Sequence, residues 1–314
     1  MPTDPVDLSH VRTVPLTVRP NKVSLTKFAI PPRKGQTAAE FLAGLPHILA
    51  GDDFRAVAQA IADAHRNGRP VVVGFGAHVI KCGLSPVLID LMRRGIITAL
   101  ATNGSGAIHD FELALIGETS EDVAAGLKDG TFGMVKETGE LMHAAIGRAL
   151  ERPDAGLGSL FGEYLEEIAA PNRDVSLAVH ARRLGAPFTV HVAIGTDIIH
   201  MHPGADGAAM GRASFNDFKL FCGVVSKLSG GVYLNVGSAV VMPEVFLKAF
   251  TVAQNLGADL SNYTTVNLDM IAHYRSGENV VRRPASVAGQ GYTLIGRHEI
   301  MVPLLAQAVL ELLD

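Results

Sequence analysis

Residues 71–106 decide the fold, and they read VVVGFGAHVIKCGLSPVLIDLMRRGIITALATNGSG. A β-branched apolar run at 71–76 ends in glycine, a helical pattern follows over 84–94, and a second apolar run at 97–102 enters the turn 103–106. Short apolar runs of this kind are typical of strands that are buried on both faces. A strand, a helix and a strand in this order predict a βαβ unit with parallel strands and a right-handed crossover.

The same alternation continues along the chain. Further apolar runs occupy residues 188–194, 231–236 and 263–267. Helical patterns flank them, including 52–65, which two aspartates can cap, and 299–313, whose apolar stripe predicts a packing helix. Five strands separated by helices predict an α/β fold: a single, doubly wound, mostly parallel sheet with helices on both faces.

The composition excludes several classes of protein. The chain has 314 residues, 48% of them hydrophobic, and a formal net charge of −4 with its charges spread evenly. A disordered protein would be less apolar, and a nucleic-acid-binding protein would carry a clustered excess of Lys and Arg. Membrane spans need about 20 consecutive apolar residues, and the apolar runs here are much shorter. The two cysteines, Cys82 and Cys222, suit the reducing cytoplasm, which is the location we expect.

The N-terminal region differs from the rest in composition. Residues 1–45 mix prolines with scattered charges and contain no continuous apolar stretch of the kind found in signal peptides. We therefore predict an N-terminal arm at 1–45, lying on the surface, and one domain at 46–314.

The turns after the strands are the predicted ligand site. In doubly wound sheets, ligands bind at the carboxyl ends of the strands, where glycine lets a ligand approach the backbone. The candidate cofactor-binding residues are Gly76, Ala77, His78, Asn103, Gly104, Ser105, Gly106, Thr196, Asp197, Gly237, Ser238, Asn267 and Asp269. Tight strand-to-helix turns and helix caps also use such residues without any ligand, so that alternative stays open at each turn. The ordinary dinucleotide fingerprint is incomplete, because residues 74–79 read GFGAHV, and no phosphate loop of the P-loop type occurs.

These turns resemble those of a known family. Residues 74–83, 91–97 and 102–110 resemble deoxyhypusine synthases, and the likeness continues through 193–197, 235–238 and 256–259, covering about residues 45–310 in the family's order. The segment 103–110 is also similar to a turn in NAD-dependent archaeal and cyanobacterial ornithine cyclodeaminases. Both families oxidise an amine carbon with bound NAD. The resemblance implies an NAD-binding fold of the deoxyhypusine synthase type, a small amine as substrate, and a homotetramer with sites at subunit interfaces.

The sequence departs from the family at positions that matter for the chemistry. Deoxyhypusine synthases carry the transferred group on a lysine in a Ser-Trp-Gly-Lys motif, whereas this chain has Gln290 as the nearest counterpart and no tryptophan. Ile108 and His109 stand where the family has two glutamates. Because glutamine cannot form an imine, we do not expect hypusine formation by the usual route.

The proposed catalytic pair is His109 with Asp110. An amine is oxidised only after it loses a proton, and histidine is a base near neutral pH, so His109 is the candidate base and Asp110 its orienting carboxylate. The alternative is that His109 hydrogen-bonds the turn and Asp110 caps a helix beginning at Phe111.

Other polar residues are weaker candidates. His200 and His202 lie two apart, as metal ligands on a strand would, with Asp197, Asp206 or His191 as a third ligand, but we predict no metal and expect them to line a pocket or a subunit contact. Four carboxylates could bind a cationic amine if they converge: Asp206, Asp217, Glu244 and Asp269.

Three functions are compatible with these features. The first is an NAD-dependent oxidoreductase or transferase that acts on a polyamine or a basic amino acid through an imine. The second is a lyase similar to ornithine cyclodeaminase, which uses NAD catalytically and releases ammonia. The third is a nucleotide-binding sensor or structural protein that lacks catalysis.

Overall fold

A computed structural model describes residues 3–313 and contains one six-stranded parallel sheet. The strands are β1 (Val71–Phe75), β2 (Ala99–Asn103), β3 (Phe188–His191), β4 (Val232–Val236), β5 (Thr264–Asp269) and β6 (Gln290–Ile295). The predicted α/β fold is confirmed, and the five predicted strands are β1 to β5. The sixth strand, β6, was not predicted, and β3 ends three residues earlier than expected.

Helices connect the strands and cover the sheet. They are α1 (Ala38–Ala43), α2 (Ala50–Arg66), α3 (Ala77–Lys81), α4 (Ser85–Arg93), α5 (Gly104–Ile116), α6 (Val123–Gly126), α7 (Lys136–Gly147), α8 (Leu157–Glu167), α9 (Leu177–Leu184), α10 (Gly207–Val225), α11 (Val241–Asn255), α12 (Tyr274–Ser276), α13 (Arg283–Ala288) and α14 (His298–Leu312). A π-helical segment, Gly277–Arg282, joins α12 to α13. Among the helices of residues 3–313, none combines the length and the apolar character that crossing a membrane requires.

Two of the helices test the predicted boundaries. Helix α2 begins two residues before the predicted aspartate cap, and its buried side chains include Phe54, Val57 and Ile61. Helix α14 matches the predicted C-terminal helix to within one residue, and it buries Val302 and Leu305. In both helices the apolar spacing located the buried face, while the capping residues were a poorer guide to where the helix starts.

The chain divides into two compact units, one up to Asp52 and the other from Asp53 onwards. The first unit holds three short 3₁₀ turns and α1. Thr37 caps α1 through a capping box with Glu40, in which each side chain bonds the other residue's backbone N–H. The predicted arm at 1–45 and domain at 46–314 stay predictions.

The central strands are apolar on both faces, as strands covered by helices on both sides must be. On one face Val72 and Tyr233 join the core formed by α10 and α11, where the Tyr233 and Phe246 rings stack with centroids 3.8 Å apart. On the other face Val71, Val73 and Leu234 are buried together with apolar residues of α2, α4 and α14.

The strand order places the site. It is β3-β2-β1-β4-β5-β6, so the chain first builds outward from β1 towards β3 and then returns to add β4 on the other side of β1. Doubly wound sheets with this order bind ligands at the carboxyl ends of the strands, where the order reverses. In this protein the reversal lies between β1 and β4.

Candidate functional site

The predicted cofactor residues lie in the last part of a strand or in the turn after it, so the structure brings them to the carboxyl edge of the sheet. They are Gly76, Ala77 and His78 after β1; 103–106 at the end of β2; Thr196 and Asp197 in the turn after β3; Gly237 and Ser238 after β4; and Asn267 and Asp269 at the end of β5. Their contacts differ, and only some of their side chains remain open to a ligand.

Two glycines meet at the point where the strand order reverses. A Cβ atom added to Gly76 would lie 2.1 Å from the carbonyl oxygen of Gly237, which no side chain tolerates. Gly237 itself has a φ of +62°, in the left-handed region that favours glycine. The loops after β1 and β4 therefore touch through bare backbone, so the packing of the loops is sufficient to require both glycines.

Beside these glycines lies a buried polar cluster at the ends of β4 and β5. His298, the first residue of α14, is buried, and neither of its ring nitrogens has a hydrogen-bond partner among the described residues. Its Nε2 lies 3.7 Å from Oδ1 of Asp269, and its ring centroid is 5.5 Å from that of His78. Burial lowers the pKa of His298 below the usual histidine range, while Asp269 opposes the shift.

The asparagines of the same cluster hold the ends of the strands together. Asn235 donates to Asn267 Oδ1 over 2.8 Å and to the Ser238 carbonyl, while Ser238 Oγ accepts from the Met242 backbone N–H at the start of α11. Asn267 and Ser238 are therefore engaged in structural hydrogen bonds.

The N-terminus of α5 already holds an anionic group. Asn103 caps the helix by accepting from the Gly106 N–H, and the Asp197 carboxylate accepts from Ser105 Oγ over 2.8 Å. A Cβ atom on Gly104 would lie 2.0 Å from Asp197 Oδ2. Asp197 thus lies at the N-terminus of α5, where a helix can bind an anion, and the expectation that residues 104–106 cradle the cofactor stays a prediction.

Next to α5 lies a cavity of about 590 Å³. Its ionisable lining residues are Lys81, His109, Glu112, Glu118, Glu121 and Glu137. Its apolar lining includes Ile108, Leu115, Phe132 and Val135, and it also reaches the predicted cofactor residues Ser105 and Thr196. The cavity therefore combines apolar walls, an excess of carboxylates and the predicted catalytic histidine.

His109 is held by groups that the sequence did not suggest. Its Nδ1 lies 2.6 Å from Thr119 Oγ1, and Thr119 donates to Glu112 Oε2 over 2.5 Å. Thr138 from α7 donates to the other oxygen of Glu112 over 2.9 Å. Burial lowers the pKa of His109 below its usual range, and the ammonium of Lys81 adds to that shift. Both effects favour the neutral form of His109.

Asp110 is not the partner of His109. Its carboxylate accepts from Ser176 Oγ, from the Leu177 N–H and from the Ala178 N–H, at 2.6, 2.7 and 3.2 Å. It thereby caps the start of α9, and burial raises its pKa to about 6. The predicted pairing of Asp110 with His109 is wrong, and so is the alternative helix start at Phe111, because α5 begins at Gly104.

The histidines considered as metal ligands do not converge. His200 Nδ1 accepts from the Gly195 and Asp197 N–H groups, whereas His202 Nε2 lies 2.8 Å from the Gly133 carbonyl. His191 is buried in β3 beside Thr189. Within residues 3–313, no group of three His, Cys, Asp or Glu side chains is arranged to hold a metal ion.

The four carboxylates considered for a cationic amine are dispersed as well. Asp206 caps α10, and Asp217 accepts from the Gly158 and Val190 N–H groups. Glu244 bonds Lys248 and Asn279, and Asp269 lies beside His298. The carboxylates that line the cavity are different ones, from the segment 112–137.

Gln290 does not lie at the candidate site. It is the first residue of β6 and pairs with Thr264, the first residue of β5, so it stands at the amino edge of the sheet. The site lies at the carboxyl edge.

The fold has relatives among solved structures. AgrE, in its ternary complex with ornithine and NAD⁺, gives a TM-score of 0.53 over 82% of this chain and 33% of its own, at 16% identity. ArgZ, an arginine dihydrolase from the ornithine–ammonia cycle in cyanobacteria, gives a TM-score of 0.52 at 15% identity. The match covers 86% of this chain and 34% of ArgZ. A protein from Entamoeba histolytica assigned as a deoxyhypusine synthase gives a TM-score of 0.52 at 11% identity. The match covers 90% of this chain and 96% of that protein.

Both families that the sequence resembles are therefore among the structural neighbours, and at these identities the likeness is one of fold. This chain spans about a third of the length of AgrE and ArgZ. No family model and no curated protein matches the sequence.

Proposed function

We propose that the protein is an NAD-dependent enzyme that oxidises a small amine, either a polyamine or a basic amino acid. The observation that carries the proposal is the cavity beside the carboxyl edge of the sheet, which His109 lines together with apolar side chains and several carboxylates. The fold relatives add support, because AgrE is solved with ornithine and NAD⁺.

The residues present suit a dinucleotide on the β1–β4 side of the edge. Gly76 and Gly237 leave bare backbone where the strand order reverses. His298 and Asn235 keep buried polar atoms that have no hydrogen-bond partner in the described part of the chain. Because Asp197 lies at the N-terminus of α5, we place the pyrophosphate at the turns after β1 and β4, which the contact between Gly76 and Gly237 brings together. Bound NAD⁺ supplies the acceptor for a hydride.

The residues of the chain would prepare the amine. An ammonium nitrogen has no lone pair, so its neighbouring carbon gives up a hydride only after the nitrogen loses a proton. His109, whose neutral form is favoured by burial, accepts that proton. Glu118, Glu121 and Glu137 attract the cationic substrate, and apolar side chains such as Leu115 pack against its alkyl part.

The position of Gln290 favours hydrolysis of the imine over group transfer. The chain lacks a lysine at this position, and β6 places the position at the opposite edge of the sheet. Without an acceptor amine on the enzyme, water attacks the imine carbon and ammonia leaves. The second candidate is a lyase similar to ornithine cyclodeaminase, which would release ammonia and in which bound NAD would be regenerated in each turnover.

The test combines binding and turnover. The purified protein is titrated with NAD⁺ by calorimetry and then incubated with L-ornithine or putrescine while NADH absorbance and ammonia are measured. NADH accumulation supports the oxidoreductase, and ammonia without net NADH supports the lyase. His109→Gln should abolish turnover and leave NAD⁺ affinity within about tenfold.

Three results of the same test would contradict the proposal. A protein that does not bind NAD⁺ lacks the proposed cofactor. Binding without turnover of either amine would point to the sensor instead. Retained activity in His109→Gln would remove that residue as the base. The implied homotetramer is part of the proposal, and light scattering tests it.

A further inference from the structure

Three side chains next to the cavity form a hydrogen-bonded series. Glu112, Thr119 and His109 are linked by contacts of 2.5 and 2.6 Å, and Thr138 ties the free oxygen of Glu112 to α7. We propose that Glu112, acting through Thr119, holds His109 in the tautomer with Nδ1 protonated, so that Nε2 carries the lone pair. The tautomer follows from the structure alone, and its catalytic meaning rests on the proposed function.

The direction of the series follows from the number of protons available. A carboxylate accepts hydrogen bonds and donates none, so Thr119 gives its single hydroxyl proton to Glu112. The oxygen of Thr119 can then only accept from His109. The neutral imidazole has one N–H, and the contact to Thr119 requires that it be on Nδ1.

The fold explains why these three residues meet. His109 and Glu112 are three apart on α5, which puts them on the same face of the helix. Gly117 ends the helix in the left-handed conformation, with a φ of +74°, and the chain then turns back so that Thr119 lies between the other two side chains.

The charges around His109 make the choice of tautomer matter. Lys81 faces it from α3, Glu112 from its own helix, and the cavity carries Glu118, Glu121 and Glu137. Burial and Lys81 favour the neutral ring. A neutral ring has two possible tautomers, and only the one with a bare Nε2 can accept a proton on the side away from Thr119. Glu112 and Thr119 are therefore positioning residues, and His109 is the catalytic one.

The test is an NMR measurement of the His109 tautomer in the full-length protein without NAD or substrate. Long-range ¹H–¹⁵N correlation on histidine-labelled protein distinguishes the two tautomers, and His109→Gln assigns the signal. We expect the wild type to show Nδ1–H. Thr119→Val, which removes the hydroxyl at nearly constant volume, should give the Nε2–H form or a mixture, and Thr119→Ser should restore the wild-type pattern.

Glu112→Gln tests the direction of the series. Its amide can donate to Thr119, whose proton can then point to Nδ1, so the Nε2–H tautomer should gain population. Thr251→Val is the matched control. Thr251 is exposed on α11, and its hydroxyl donates to the Leu247 carbonyl of the same helix. It should leave the His109 signal unchanged.

Two NMR results would overturn the proposal: an Nε2–H tautomer in the wild type, or an Nδ1–H tautomer that survives Thr119→Val. Both are independent of NAD binding and turnover, so a failure of the proposed function is recognised separately. In an active enzyme, Thr119→Val should lower kcat by about 10- to 100-fold with little change in KM, and Thr119→Ser should recover it.

Discussion

His109 and Asp110 are adjacent in the sequence but serve different parts of the molecule. Successive positions of an α-helix are rotated by about 100° around its axis, so two neighbouring side chains on α5 cannot share one face. His109 faces the cavity, and Asp110 points to the start of α9. The carboxylate that can act on His109 is three residues further along, at Glu112.

Asp110→Ala should destabilise the protein without weakening NAD⁺ binding. The change leaves the Ser176 hydroxyl and the Leu177 and Ala178 N–H groups without their buried acceptor, at a cost of about 2–4 kcal/mol. Urea unfolding followed by circular dichroism measures the loss. Asp154→Ala, at an exposed turn, is the control and should change stability by less than about 0.5 kcal/mol. Wild-type stability combined with lost turnover would return a catalytic role to Asp110.

For individual residues, the sequence predicted the position at the carboxyl edge better than it predicted the hydrogen-bond partners. The glycine turn at 103–106 pointed to the carboxyl edge, and His109 was found from its residue type. Thr119 escaped prediction because its role depends on a reversal of the chain at Gly117. His298 escaped because it belongs to a helix judged by its apolar stripe alone, and recognising β6 was the signal that could have revealed it.

The strand that the sequence missed, β6, packs against the sheet on one side only. Strand β6 lies at the edge of the sheet, and only Leu294 of its residues is buried, so it lacks the continuous apolar run that marked β1 and β4. The central strands are covered on both faces and are visible as apolar runs. An edge strand that contains Gly291 can be assigned only from its pairing with β5.

Gly237→Ala should test how tightly the turn after β4 packs against α14. The new Cβ would lie 2.9 Å from His298 Cε1, and the residue would be strained at its φ of +62°. Gly257→Ala is the matched control, because its φ is +84° and no atom lies within 4 Å. We expect the control to cost about 1 kcal/mol from backbone strain and Gly237→Ala to cost at least about 1 kcal/mol more.

Thermal and urea unfolding of both variants measure the difference. His298→Ala provides the second control, since removing the ring should abolish the excess cost of Gly237→Ala. Equal losses in Gly237→Ala and Gly257→Ala would mean that the turn and α14 move apart freely.

For the molecule as a whole, three buried ionisable groups make the free energy of unfolding depend on pH. Two of them act in one direction and the third in the other. Burial raises the pKa of Asp110 to about 6 and that of Asp217 to about 7, and it lowers the pKa of His191 to about 3. The two carboxyls bind protons more readily in the folded state, so their contribution is present at low pH and is lost as the pH rises through 6 to 7. His191 acts in the other direction.

His191→Gln should make the protein less sensitive to acid. Below about pH 6.5 an unfolded chain protonates His191, while the folded chain keeps it neutral down to about 3, so wild-type stability loses about 1.4 kcal/mol per pH unit in that window from this group. Glutamine does not titrate and can still bond Thr189. Urea unfolding at a series of pH values measures the slope of the free energy of unfolding against pH. The control is His10→Gln, which should keep the wild-type slope because the His10 side chain is 87% exposed. Equal slopes in His191→Gln and the wild type would mean that the folded protein protonates His191 and that β3 opens to solvent.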